Sequence, residues 1–224
     1  DADIVISLTH FKAHDGTGFG GALKNLGMGC GSRLGKKDMH ASEKPAVDQS
    51  RCVGCGVCAK NCAHGAITVT EHAHIDATKC AGCGRCIEKC PQKCVHPMDD
   101  RAHEILSRKV AEYTAAVVRG RPCFHVALAC DISPYCDCYA LNDAPILEDI
   151  GMFASFDPVA MDQCCVDMAN ARKPLRNSLL YQREKPGAAD HFTALFPETN
   201  WQAGLEQGEK LGIGTREYEM EEMA

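Results

Sequence analysis

Hydrophobic positions along the chain follow patterns that predict both strands and helices. Residues 4–8 form a β-rich apolar run, which predicts a buried strand. From residue 99 to residue 119 apolar side chains recur at helical spacing, and this predicts an amphipathic helix that Gly120 and Pro122 end. Residues 123–129 are again apolar and predict a second strand.

The second half of the chain continues with a strand and a capped helix. Residues 151–155 predict the strand, and Asp157 predicts a helix cap with Pro158 at the first helical position. This helix should run to about residue 172, after which prolines interrupt a weak periodicity and indicate loops and short helices. Residues 206–222 are rich in glutamate and predict a solvated acidic tail.

Composition excludes several classes of protein. The 224 residues are 45% hydrophobic and 24% charged, which are ordinary values for a globular protein. A net charge of −6 argues against nucleic-acid binding. No apolar run approaches the roughly 18–20 residues of a membrane span, and no basic region followed by an apolar stretch marks an export signal. We therefore expect a cytoplasmic protein.

The unusual feature is cysteine, which occurs sixteen times. Eight cysteines form two matching C-x2-C-x2-C-x3-C runs: Cys52, Cys55, Cys58 and Cys62, then Cys80, Cys83, Cys86 and Cys90. A secreted disulfide module would be short, with a signal peptide and irregular spacings. Zinc sites usually combine two C-x2-C pairs instead of a triplet plus one. A triplet at this spacing can aim three thiolates at one iron–sulfur cubane, and the glycines at positions 54, 56, 82 and 84 permit the loop.

The fourth cysteine of each run is expected to cross to the other cluster, as in two-cluster ferredoxins. This assigns Cys52, Cys55, Cys58 and Cys90 to one 4Fe–4S cluster, and Cys80, Cys83, Cys86 and Cys62 to the second. Between the runs, residues 66–70 and 73–76 predict a short antiparallel ribbon. We expect a reducing, anaerobic setting, because exposed clusters and free thiols survive poorly under oxidation.

A glycine-rich loop over residues 15–20 precedes a predicted helix over residues 21–28. A helix that begins after such a loop offers free N–H groups and a positive dipole end, which is a geometry that binds anions. The candidate residues for a flavin or another phosphate-bearing or anionic ligand are His10, Lys12, His14, Gly18, Gly20, Gly21, Lys24 and Asn25. Alternatively, the glycines shape a packed loop and the histidines are ordinary hydrogen-bonding residues.

Cys136 and Cys138 form a second candidate site. In an extended segment both side chains would point to the same side, so both thiols could reach one metal ion or one partner. Cys130 precedes this pair, and Cys164 and Cys165 add further sulfur later in the chain. The alternatives are a redox or metal-binding role and buried, inert thiols.

Three blocks of the sequence resemble an uncharacterised iron–sulfur center protein family with a conserved domain of unknown function. The blocks are LTHFKAHDGTGFGGALKNLGMGCGSRLGKKDMH, CDCYALNDAPILEDIGMFASFDPVAMDQ and the two cysteine runs between them. The resemblance implies a mixed α/β domain, residues 1–48 and 99–224, into which a ferredoxin-like module, residues 49–98, is inserted. It also implies a further segment before residue 1, in keeping with the abrupt start in a strand, so we expect a fragment or a processed chain.

Three functions compete at this stage. The first is an electron-transfer protein that exchanges electrons with a partner redox enzyme through two 4Fe–4S clusters. The second is a redox enzyme or cofactor-maturation factor whose α/β domain binds a flavin or small anionic substrate and uses the clusters as a relay. In this alternative the loop over residues 16–31, Lys24 and the pair Cys136 and Cys138 would form the binding site. The third is a regulatory or scaffold protein that senses redox state. A bare ferredoxin needs only about 55–60 residues, a size that can fold alone, so the remaining chain favours a docking or substrate-binding role.

Overall fold

The computed structural model describes residues 2–99, 101–139, 142–185, 188 and 190–223. The protein is a mixed α/β protein. It divides into two compact units, one formed by Asp1–Gly31 together with Ser107–Ala224, and the other by Ser32–Leu106. Among the described residues, no helix combines the length and the apolar character that crossing a membrane requires.

The strands are Val5–His10 (β1), Lys12–His14 (β2), Gly18–Gly20 (β3), Pro45–Val47 (β4), Ile67–Val69 (β5), Ala73–Ile75 (β6), Val95–Pro97 (β7), Cys123–Ala129 (β8) and Gly151–Ser155 (β9). The α-helices are Ala22–Cys30 (α1), Arg33–Met39 (α2), Val57–Lys60 (α3), Arg85–Glu88 (α4), Ala102–Val118 (α5), Pro158–Asn170 (α6), Leu179–Arg183 (α7), His191–Leu195 (α8) and Gln202–Lys210 (α9). A 3₁₀ turn, His40–Glu43, follows α2.

The main sheet of the first unit has the order β1-β8-β9, with β1 parallel and β9 antiparallel to β8. The prediction that residues 4–8 are buried is wrong. The side chains of Ile4, Ile6 and Leu8 are 62%, 74% and 66% exposed. Side chains alternate along a strand, and the two buried positions of β1 are the polar residues Ser7 and Thr9. One of them, Ser7, is buried and shares a 2.8 Å hydrogen bond with Nδ1 of His125 on β8.

Close contact between α1 and α5 depends on a glycine. A Cβ added to Gly27 would lie 2.2 Å from the carbonyl oxygen of Val110. Beside it, the Thr114 hydroxyl donates a 2.7 Å hydrogen bond to the carbonyl oxygen of Leu23. The backbones of the two helices therefore approach more closely than an alanine would allow.

The predicted cap of α6 is confirmed. Asp157 accepts hydrogen bonds from the backbone N–H groups of Val159 and Ala160, at 2.8 and 2.9 Å, with Pro158 in the first turn. The short helices α7 and α8 agree with the prediction for the region beyond residue 172.

The prediction of a solvated acidic tail over residues 206–222 is wrong for its first five residues, because residues 206–210 belong to α9. Ala203, Leu205 and Gly208 are buried in this helix. A Cβ on Gly208 would lie only 2.7 Å from Val159 of α6. The helix packs through small residues, and small residues give little hydrophobic signal in the sequence.

The second unit contains two antiparallel strand pairs, the helix α2 and the one-turn helices α3 and α4. The pair β5–β6 confirms the predicted ribbon. The pair β4–β7 and the helix α2 were not predicted from the sequence. The helices α3 and α4 each follow a left-handed glycine, Gly56 and Gly84. The unit therefore repeats one local arrangement at both cysteine runs.

Candidate functional site

Both cysteine runs of the second unit adopt the same loop. In each run the third cysteine lies on a one-turn helix, Cys58 on α3 and Cys86 on α4. Four glycines precede these helices with positive φ angles: Gly54 (62°), Gly56 (75°), Gly82 (74°) and Gly84 (66°). Other residues rarely adopt this left-handed conformation, so glycine is needed for the loop. The sequence identified these four positions correctly.

One cavity brings cysteines of both runs together. Its lining includes Cys52, Cys55 and Cys58 of the first run, together with Cys90 of the second. These are the four residues that the sequence assigns to one cluster. In the second run, burial raises the pKa of Cys86 to about 11, and the neighbouring thiols Cys80 and Cys83 act in the same direction.

Backbone N–H groups are directed at several of these sulfurs. Ala73 N donates to Cys52 Sγ and Ala66 N donates to Cys62 Sγ, both at 3.3 Å. The hydrogen bond from Ala73 is the main reason why the pKa of Cys52 is lowered. Hydrogen bonds to the ionised form favour it, so this contact stabilises the thiolate of Cys52, which is the form that a metal binds.

The sulfurs also form part of the hydrophobic core of this unit. Buried residues of one cluster are Cys58, Ile67, Ala73, Cys86, Cys90, Cys94 and Val95. Four of these seven are cysteines, so the core has few large apolar side chains. A unit of this size has little core to stabilise it alone. Metal bound by these thiolates would therefore contribute directly to folding.

Cys94 belongs to this site and was missed from the sequence. It is 2% exposed, it lines the same cavity, and its sulfur lies 3.4 Å from that of Cys90. A sequence signal did exist, because Cys94 follows Cys90 by the same four residues that separate Ala66 from Cys62. Comparison of the two repeats would have shown a cysteine in place of an alanine.

The first unit contains a second group of sulfurs. Among the residues that the structure describes, His14, Cys136 and Cys138 are the group whose ligand atoms all lie within 4.8 Å of one another. Lys24 Nζ lies 3.0 Å from Cys136 Sγ and 3.9 Å from Cys138 Sγ. This spacing, together with the sixteen cysteines of the chain, suggests metal binding.

The extended segment expected at Cys136 and Cys138 is not present. Tyr139 N donates a 2.8 Å hydrogen bond to the carbonyl oxygen of Cys136, which closes a turn. The turn still places both sulfurs within reach of His14. The two thiols therefore lie close together as predicted, but a turn and not an extended segment brings them there.

An ion pair and a hydrogen bond hold this turn against the first strands. The carboxylate of Asp137, between the two cysteines, lies 3.2 Å from Lys12 Nζ and 2.9 Å from His10 Nδ1. Lys12 Nζ also donates to the carbonyl oxygen of His10 at 2.7 Å. The predicted candidates His10 and Lys12 therefore position the cysteine turn.

The N-terminus of α1, which was predicted to bind an anionic ligand, is filled by the chain itself. The carboxylate of Asp162 accepts hydrogen bonds from Ala22 N at 2.6 Å and Leu23 N at 2.9 Å. A Cβ on Gly21 would lie 2.2 Å from this carboxylate. Burial raises the pKa of Asp162 to about 7. At the N-terminus of α1, the N–H groups of Ala22 and Leu23 are therefore not free to bind an external anion.

The other loop candidates have structural partners. Gly18 has a φ of 79°, and a Cβ there would lie 2.9 Å from Trp201. A Cβ on Gly20 would lie 3.3 Å from the Lys12 side chain. Asn25 donates to the carbonyl oxygen of Leu8 at 3.1 Å. These contacts favour the alternative in which the glycines shape a packed loop.

A family described as a domain of unknown function, DUF362, matches residues 1–167. The match covers more than half of the 224 residues, and its range includes both cysteine runs and the Cys136–Cys138 turn. No curated protein matches the chain.

Proposed function

We propose that this chain, which belongs to the DUF362 family, is an iron–sulfur electron-transfer protein. That family is described as a domain of unknown function, so the support for the proposal comes from the residues of the chain itself. In this proposal a ferredoxin-like module, residues 49–98, carries two 4Fe–4S clusters. The module lies within the sequence range of the second unit, Ser32–Leu106.

The cavity that joins Cys52, Cys55 and Cys58 with Cys90 carries this proposal. A triplet from one run plus the last cysteine of the other is the ligand set of a two-cluster ferredoxin. By the same rule the second set takes the remaining four cysteines of the two runs: Cys62, Cys80, Cys83 and Cys86. The donor set is entirely thiolate, which suits an iron–sulfur cluster.

The order of the cysteines in the chain favours a cluster over a single zinc ion. Zinc sites usually combine two C-x2-C pairs. Each run of this chain is instead a triplet followed by a fourth cysteine, which is the pattern of a two-cluster ferredoxin.

A bound 4Fe–4S cluster exchanges electrons one at a time, at a potential set partly by hydrogen bonds to its sulfurs. The residues of this chain supply those hydrogen bonds through Ala66 and Ala73. Cys55 and Cys83 are the exposed members of the two runs. We propose that a redox partner protein docks near them, because electron exchange needs an exposed edge.

An anaerobic redox titration tests the proposal. The purified chain should take up about two electrons from dithionite and return them to a one-electron acceptor protein, since each of two clusters accepts one. Cys55→Ser should reduce this capacity, whereas Cys30→Ser, an exposed cysteine outside both runs, should leave it unchanged. A chain that accepts no electrons when its metal content is complete contradicts the proposal.

A further inference from the structure

We infer that Cys136 and Cys138 form a redox-active dithiol that exchanges with a disulfide substrate. This activity lies in the first unit and goes beyond the proposed electron-transfer centres. It would be a second redox function of the same chain, and it does not depend on the clusters.

The positions of the two sulfurs fit the two roles of such a pair. Cys138 is exposed, whereas Cys136 is 4% exposed. A substrate disulfide can therefore reach Cys138, and Cys136 lies behind it. The Cα atoms of residues i and i+2 are at most about 7 Å apart, and the turn closed by Tyr139 brings those of Cys136 and Cys138 closer. This range overlaps the separation that a disulfide needs, so the bond can close without unfolding the turn.

The hydrogen bonds of His14 set how its ring is protonated. Its Nδ1 accepts hydrogen bonds from the backbone N–H groups of Gly16 at 2.9 Å and Thr17 at 3.2 Å. Because Nδ1 is an acceptor, the ring proton is assigned to Nε2. A histidine that ligates a metal normally donates from its other ring nitrogen, so an ion bound by this group would have to displace that proton. Metal binding and the dithiol reaction are therefore alternative uses of the same two sulfurs.

The ammonium group of Lys24 faces both sulfurs of the pair. Its Nζ lies 3.0 Å from Cys136 Sγ and 3.9 Å from Cys138 Sγ. The pair can therefore carry one negative charge and keep one proton, and Lys24 balances that charge from the first turn of α1.

The exchange takes two steps. Cys138 first passes its proton to the sulfur of Cys136, and the resulting Cys138 thiolate attacks a substrate disulfide R–S–S–R′. The S–S bond breaks, and the leaving R′–S⁻ takes the proton from Cys136 and departs as R′–SH. The thiolate of Cys136 then attacks the Cys138 sulfur, forms the Cys136–Cys138 disulfide and releases R–S⁻. Two electrons pass from the dithiol to the substrate, and one negative charge is present before and after.

Anaerobic equilibration of the full chain with oxidised and reduced glutathione tests this inference, with disulfides mapped by mass spectrometry after acid quenching. The wild-type chain should form the Cys136–Cys138 disulfide. Cys136→Ser should accumulate a stable glutathione adduct on Cys138, because the resolving thiolate is missing. Cys138→Ser should leave the buried Cys136 without adduct.

Cys130→Ser is the matched control, since this partly buried cysteine on the same segment should not affect the disulfide. If a variant does not fold, the disulfide map of the wild-type chain still tests the inference. Two free thiols at 136 and 138 across the whole glutathione range would overturn the inference. So would one zinc ion per chain that both variants lose, because the group would then be a metal site.

Discussion

Replacing Gly21 by alanine should destabilise the first unit far more than the same change at Gly29, eight residues further along in α1. The new Cβ at position 21 would lie 2.2 Å from Oδ1 and 2.6 Å from Cγ of Asp162. Asp162 is fully buried, so its carboxylate cannot move into water to relieve the overlap. It must leave the helix N-terminus instead.

The size of the effect follows from the hydrogen bonds that would be lost. Ala22 N and Leu23 N donate to Asp162 at 2.6 and 2.9 Å. Each hydrogen bond to a charged group contributes about 1.5–3 kcal/mol, so the loss of both should cost about 3–6 kcal/mol. At Gly29 an added Cβ would meet only Asn25 Oδ1, at 3.7 Å. There the change should stabilise the helix by up to about 1 kcal/mol, because alanine has the higher helix propensity.

Urea unfolding of both variants under anaerobic conditions at pH 8, followed by circular dichroism, measures the difference. At this pH the carboxylate of Asp162, whose pKa is raised to about 7, is ionised. We expect the free energies of unfolding of the two variants to differ by at least about 3 kcal/mol, the lower end of the hydrogen-bond cost. A difference below about 1 kcal/mol would refute the assignment of Asp162 as the group that fills this helix end.

Three further predictions concern the cysteine runs and Asp162. Cys62→Ser and Cys80→Ser should remove iron from the same cluster, so the double variant should retain as much iron as either single one; additive iron loss would indicate local ligation. Gly82→Ala should impair reconstitution with iron more than Gly84→Ala does. A Cβ at position 82 would lie 2.2 Å from a backbone carbonyl oxygen, whereas a Cβ at position 84 would meet nothing within 4 Å. Equal iron contents of the two variants would contradict this. Burial raises the pKa of Asp162 from 3.8 to about 7, so the folded state holds the proton of this carboxyl group more tightly than the unfolded state does. The wild-type chain should therefore lose stability relative to Asp162→Asn as the pH rises from about 4 to about 7. Urea midpoints measured across that range check the sign, and a parallel pH dependence of both proteins would oppose it.

The repeated motifs of the chain were predictable because their geometry is local. The left-handed glycines 54, 56, 82 and 84 follow from the short spacing between cysteines, and the cap at Asp157 follows from its own two neighbours. The ribbon β5–β6 joins segments only a few residues apart. Features of this kind depend on sequence-adjacent contacts, so the sequence alone can specify them.

Features that depend on distant partners were not predictable. Asp162 fills the N-terminus of α1 from 140 residues away, and no local pattern marks it as a cap. Likewise the apolar run at residues 4–8 did not show which face of β1 would be buried. That choice depends on His125, 118 residues later, which pairs with Ser7 in the interior. Pairings over such distances are set by the tertiary fold.

The most direct test of the proposed clusters is the iron and inorganic sulfide content of the anaerobically purified chain, measured together with the electron paramagnetic resonance spectrum of the reduced protein. Two 4Fe–4S clusters predict about eight iron and eight sulfide per chain, with signals from two clusters in the reduced state. About four iron per chain, or stoichiometric zinc without sulfide, would contradict the proposal.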